Sequence, residues 1–310
     1  LQHRHHPHGV LNLPDALFVD LLAYNKQHFD EYGVAYPQPG ITIEEFLETA
    51  RQLMVGFRES GAFETGSRPV STWATNDIVR KYPQRAGAFI YDADTNEITA
   101  NEPEVARVIR FLYDMAEEDL VMTAAEAQAL GYAPPHQGFA RGVHAMQLEL
   151  SWVMNTISRF HSEIEGLELS DFDVTTAPRF ADSPEVAPPY GFSSWAITND
   201  TANEAAAFEL LTFLSKEYND NAFEDFGKIN LYARNDLLAV QELQRSFPGL
   251  EDVLAQSTAA PIAINADYDQ ATKQYTKQYM DALSTRTDDS FEEILEGYID
   301  GLRDIIESAQ

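Results

Sequence analysis

From Phe139 to Trp152 the chain reads FARGVHAMQLELSW, an apolar strand pattern that ends on a tryptophan and passes into a helical one. The stretch YGFSSWAITNDTANEAAAFELLTFLSKE, from Tyr190 to Glu217, has the same order of short strand, tryptophan and helix. Strands that feed helices at once, in a chain whose other segments also alternate, point to an α/β architecture.

The helical segments announce themselves by caps and stripes. Thr42 with Glu45 forms a capping-box pattern, followed by Ile43, Phe46, Leu47, Ala50, Leu53, Met54 and Phe57 at helical spacing. Asn101 and Glu104 suit the start of a second helix, with Val105, Val108, Ile109 and Leu112 on its buried face. A third is predicted from about Asn203 to Ser215. The last opens on Ser290 and Glu293 and carries Ile294, Leu295, Tyr298, Leu302 and Ile305. Predicted strands lie at Val143–Leu148, Phe172–Ala177 and Ser194–Thr198, with Pro- and Gly-rich connectors at Tyr36–Gly40, Gly131–Gly138 and Ser183–Gly191.

Composition narrows the class. The 310 residues are 44% apolar, enough for about two ordinary domains with real cores. Lys and Arg number 21 against 50 Asp and Glu, a formal net charge of -29. Such a field repels phosphate backbones and anionic membranes, so nucleic acid is excluded as a partner. The acidity serves solubility, and suits a salty medium that screens it. There is no cysteine, which rules out disulfides, thiolate catalysis and Cys-based metal sites. No apolar run approaches the ~20 residues that span a bilayer. His3, His5, His6 and His8 could chelate a metal, but a frayed tail over residues 1–9 is the simpler reading, so no metal or cofactor is expected.

Catalytic signatures are missing. There is no Gly-x-Ser-x-Gly, no His-Glu-x-x-His and no Walker loop, and neither Gly87 nor the other glycines form a phosphate cradle. His136, His144 and His161 lack ligand spacing.

Read in order, GVLNLP (Gly9 to Pro14), LLAYNKQHFDEYGVAYP (Leu21 to Pro37), ITIEEFLETARQL, NEPEVARVIRFLYDM, FARGVHAMQLELSW, DFDVTTAP, SSWAITNDTANEAAAFELLTFLS and YARNDLL resemble successive segments of the family 1 extracellular solute-binding proteins, the maltose-binding-protein-like receptors of ABC importers. Ile43 stands where that family usually has tryptophan. Each motif is loose; their colinear order over nearly the whole chain carries the resemblance.

The resemblance implies a type II periplasmic-binding-protein-like α/β fold: one near-complete lobe plus a remnant of the other, since the family begins with a further α/β stretch of the first lobe. Residues 10–192 and 236–310 would form lobe two, and 193–235 would return to lobe one. It further implies a secreted monomer, extracellular or periplasmic and lipid-anchored in a full-length parent. Such a protein binds a mono- or oligosaccharide without chemistry and docks on the membrane permease subunits of an importer.

A pyranose has apolar C–H faces and a belt of hydroxyls, so flat rings and short polar groups recognise it. The family places the three tryptophans, Trp73, Trp152 and Trp195, with Tyr24, at or near the cleft. Glu149, Ser151, Ser193, Ser194 and Arg234 would supply hydrogen bonds. Each stacked ring contributes up to ~2.5 kcal/mol, whereas micromolar affinity needs about 8, so rings alone do not suffice. The competing expectations are a glycan-acting hydrolase, which needs two flanking carboxylates, and a non-sugar solute-binding protein of the same fold.

Overall fold

The computed structural model describes residues 13–72, 91–92, 97–98, 103–122, 124–131, 136–182, 189–198, 201–215, 217–219, 221, 229–233, 238–259, 274–276, 278–279 and 289–308. The His-rich start, Trp73, the Asn101 cap and Arg234 lie outside them.

One long strand organises the molecule. β1 (Leu13–Asn25) runs through VDLLAYN, apolar on both faces. It has no polar alternation because both faces are covered. Leu22 and Tyr24 belong to one core with Phe29, Phe46, Phe57, Ile109 and Tyr298. Val19, Leu21 and Ala23 belong to a second core with Phe139, Met154, Ile157 and Phe247 on the other face.

β1 is shared along its length. Over Asp20–Tyr24 it pairs antiparallel with β5 (Met146–Leu150), and over Leu21–Asn25 with β6 (Phe172–Thr176). Over Leu13–Val19 it pairs instead with β7 (Pro189–Trp195), which adds the short parallel β8 (Thr258–Ala259). β2 (Val70–Thr72) joins the far side of β5, parallel to it. A separate two-stranded pair comprises β3 (Tyr91–Asp92) and β4 (Glu97–Ile98).

The β1–β7 register shifts between Pro14 and Leu17. This bulge frees the Ala16 N–H, and the Ser193 hydroxyl accepts it at 3.3 Å. On its other side the same stretch meets residues 229–233: Leu17 N donates to the Leu231 carbonyl and Ala233 N to the Asp15 carbonyl, both at 2.7 Å.

Helices cover the faces. Asn25 ends β1 and caps α1 (Lys26–Tyr32) by accepting from Gln27 N at 3.0 Å; Gly33, at φ 66°, closes that helix. α2 (Ile43–Glu59) carries the predicted Thr42–Glu45 box, and all seven stripe residues are buried. α3 (Pro103–Glu117) places its proline in the first turn, where a missing N–H costs nothing. α4 (Ala124–Ala129), α5 (His136–Ala140) and α6 (Val153–Phe160) follow, then α7 (Glu204–Ser215), α8 (Leu238–Ser246), α9 (Leu250–Gln256) and α10 (Phe291–Ser308). Ser290 and Glu293 cap α10 as predicted.

Two strand starts differ from the sequence reading, and the three ends fall at Leu150, Thr176 and Trp195 rather than Leu148, Ala177 and Thr198. β5 starts at Met146 rather than Val143, because the Val143 and Gly142 N–H groups bond back to Gly138 and Phe139 and close α5 in a Schellman turn. β7 begins at Pro189, five residues before the predicted Ser194. A proline at the first position of a strand removes no interior ladder bond, so the Pro-rich run did not delay it.

α7 is unlike the others. It is apolar on every side, and Phe208 is 63% and Leu210 55% exposed; Phe213, with Phe192 and Trp195 of β7, is exposed as well.

Candidate functional site

The parallel pair β2–β5 sets where a site can form. Open α/β sheets take ligands outside the carboxyl ends of parallel strands, where loops diverge. Trp73 follows β2 by one residue, and Ser151–Trp152 follow β5. The polar residues Ser71, Gln147 and Glu149 alternate along these two strands on the face that α5 and α6 cover, with Ser71 opposite Gln147 in the register.

Trp152 sits at the corner between β5 and α6 and is half-buried. Its ring meets His136, the first residue of α5, at 4.8 Å between centroids and 86° between planes. Burial pushes the His136 imidazole down to about 4, so it is neutral at physiological pH. Ser151 anchors the corner: its hydroxyl donates to the Leu17 carbonyl at 2.9 Å, and its N–H to the Val19 carbonyl at 2.9 Å. Glu149 is 5% exposed and accepts from Leu150 N at 2.9 Å.

The remaining predicted residues divide into three groups. Ser193 is half-buried, and Ser194 and Trp195 are exposed near the end of β7, opposite Pro14 and Leu13. Trp195 therefore lies on the order of 15 Å along β1 from the Trp152 corner, at 3.3 Å per residue. Tyr24 departs from the ligand-facing placement that the resemblance implied. It is 7% exposed, and its ring packs against Phe29 at 5.7 Å and Tyr36 at 5.8 Å, inside the core. Burial, with the Asp173 carboxylate beside it, raises its phenol above the usual range. Ser151 is likewise interior, spent on holding β1. Trp73 and Arg234 lie outside the described residues; Arg234 follows the segment bonded to the β1 bulge.

His136 is the residue that sequence reasoning missed. It stood alone without ligand spacing, and nothing in the pattern tied it to Trp152 sixteen positions on. Among the described residues no group of three His, Asp or Glu side chains could hold a metal ion. No helix among them is long and apolar enough to cross a membrane.

A strand shared between two pairing sets, with aromatic and carboxylate groups gathered at the carboxyl end of a parallel pair, defines a solute-binding α/β protein of the periplasmic type. The family model described as bacterial extracellular solute-binding protein matches residues 10–218, and the chain belongs to that family.

Solved structures share the fold. One is the ABC substrate-binding protein Lmo0181 from Listeria monocytogenes in complex with cycloalternan, 17% identical, with a TM-score of 0.74 over 98% of this chain and 73% of that one. The GacH receptor of Streptomyces glaucescens, solved unliganded and with acarbose, is 16% identical, TM-score 0.67, covering 97% and 72%. UgpB from Mycobacterium tuberculosis, in complex with glycerophosphocholine, gives 16%, 0.67, 97% and 72%. No curated protein matches the chain.

Proposed function

We propose that this chain is the substrate-binding component of an ABC importer, that it binds a carbohydrate in a cleft between two lobes, and that it does no chemistry on it. The observation that carries the reading is the half-buried Trp152 ring at the carboxyl end of β2–β5; Glu149, three residues before it, is 5% exposed and backs the corner from the interior, as Ser151 does. A flat indole suits a sugar's C–H face. Trp195, Ser193 and Ser194, with Trp73 and Arg234, complete the proposed ligand set; Tyr24 and Ser151 belong to its support.

In this reading residues 10–192 and 236–310 form lobe two, and 193–235 carry what is here of lobe one. Two features favour the division. β1 changes partners near Val19, from β7 to β5 and β6. A helix apolar all round, such as α7, suits the interior of a larger body. Closure of the lobes on the ligand is then the signal that the importer's permease subunits read. The protein acts outside the cytoplasmic membrane, as a monomer, without nucleic acid.

Calorimetry against neutral mono- and oligosaccharides tests this. Saturable heat without product formation, weakened at least tenfold by Trp152→Ala, is the expected result. Sugar turnover, or no response across the panel while glycerophosphocholine binds, would replace the reading.

A further inference from the structure

Trp152 is held from two sides. Ser151, just before it, donates its hydroxyl hydrogen to the Leu17 carbonyl of β1 at 2.9 Å. Asn155, on the first turn of α6, donates from Nδ2 to the Ile229 carbonyl at 2.6 Å. Residues 229–233 in turn run alongside β1. The Leu17 N–H donates to the Leu231 carbonyl and the Ala233 N–H to the Asp15 carbonyl, both at 2.7 Å, and Ala16 and Tyr232 form an antiparallel bridge. Leu17 is the joint of a closed circuit. Its carbonyl holds the corner, and its N–H holds the segment that the corner also grips through Asn155.

Side chains wedge that segment between two cores. Ile229 and Leu231 share a core with Met154 and Ile157 of α6, and Tyr232 shares another with Ala16, Ala239 and Val240. Apolar packing of this kind is non-directional, whereas a hydrogen bond fixes position and angle. The Asn155 amide therefore sets where 229–233 stands along α6.

The circuit closes where β1 changes partners. The β1–β7 register shifts between Pro14 and Leu17, and pairing with β5 begins at Asp20. At the same bulge Ser193 of β7 accepts from the Ala16 N–H. A change in the bend of β1 here moves Leu17, and with it both anchors of the Trp152 corner.

We propose that Asn155 is a positioning residue for ligand binding: by gripping 229–233 it makes the set of the Trp152 ring depend on the bend of β1 at Asp15–Leu17. This rests on the sugar-binding reading above and adds the route by which a ligand at Trp152 reaches the crossing between the lobes. Adjacency is not by itself coupling, so both ends of the route must be measured.

The test uses the 310-residue chain, NMR and amide hydrogen exchange. The indole N–H resonance of Trp152 is identified by its loss in Trp152→Phe. Asn155→Asp keeps the side-chain shape but sets an acceptor against the Ile229 carbonyl; Asn155→Ala, a strong helix former, removes the donor without adding a charge. In both variants, without ligand, exchange at the Leu17 and Ala233 amides is expected to quicken about fivefold, the worth of one net hydrogen bond, beyond any change at buried Leu53 of α2, which reports on the whole fold. Maltotriose is expected to shift the Trp152 resonance of the parent chain and to slow exchange at Leu17 and Ala233 more than at Leu53. In the variants that shift needs about fivefold more maltotriose, and the extra slowing is lost.

Each other outcome is decisive. Exchange at Leu17 and Ala233 that moves only in step with Leu53 makes Asn155 a general stabiliser and overturns the inference while the sugar reading stands. An equal maltotriose response in parent and variants does the same. Silence of Trp152 in the parent chain to maltotriose and to other neutral sugars sinks the sugar reading, and the positioning role with it, whatever the exchange rates.

Discussion

Ser151 donates its hydroxyl hydrogen to the Leu17 carbonyl at 2.9 Å, and so ties the corner that carries Trp152 to the middle of β1. The same oxygen lies 3.4 Å from Val19 N, so both sides of the contact are buried polar groups. Ser151→Ala leaves the Leu17 carbonyl without that donor. The expected cost is ~1–2 kcal/mol, read as a lower urea midpoint at unchanged slope. An unaltered midpoint would mean that water replaces the hydroxyl and that the corner is not anchored there.

Gly249 is a packing requirement rather than a backbone one. Its φ is an ordinary -64°, yet a Cβ built there would lie 1.7 Å from the Val174 carbonyl oxygen, while its N–H bonds Asp173 Oδ1 at 3.0 Å. Gly249→Ala must push α9 off β6 and is expected to cost more than ~3 kcal/mol. Gly33 is the opposite case: at φ 66° with nothing within 4 Å, alanine there meets only left-handed strain, ~1 kcal/mol. Chemical denaturation of the two variants side by side checks the order.

His144 is wholly buried with its Nδ1 3.3 Å from both the N–H and the carbonyl oxygen of Arg68, and desolvation holds it down to about 3 from 6.5. His28, whose Nε2–H donates to the Gly142 carbonyl at 2.7 Å, is lowered for the same reason. Below pH 6.5 the unfolded chain therefore binds protons that the folded chain refuses. Stability is full above that value and is lost as pH falls toward 3, by up to ~4 kcal/mol for His144. The difference in unfolding free energy between pH 7 and pH 5 should shrink in His144→Gln, whose amide keeps an acceptor for Arg68 N. An equal pH slope in both proteins would show that other groups govern acid unfolding.

With a net charge of -29, folding works against self-repulsion. Raising sodium chloride from 0.1 to 1 M shortens the screening length from ~10 Å to ~3 Å. The melting temperature is expected to rise by several degrees over that range. A fall would mean that ion pairs such as Arg51–Glu118, at 2.6 Å, outweigh the repulsion.

The helices were legible in the sequence because their information is local. The Thr42 box and the Ile43–Phe57 stripe, like the Ser290 cap, need only neighbours a turn away. β1 escaped notice as a strand because VDLLAYN is covered on both faces and shows no alternation. The same property misplaced Tyr24. Its family position suggested a ligand ring, but its place on a doubly covered strand turns it inward against Phe29 and Tyr36. Trp152 was legible as the residue that closes a strand and opens a helix. Its contact with His136 was not, since that depends on how α5 folds back over β2 and β5, a tertiary fact with no periodic trace.

β1 also decides how the molecule comes apart. Every strand of the main sheet except β2 and β8 is laced directly to that single segment, and those two hang on its immediate partners. Neither half can shed its hydrogen bonds while the other keeps a straight backbone to grip. Denaturation of the sheet should then run as one event seen by all optical signals together, with no half-melted species to trap or degrade.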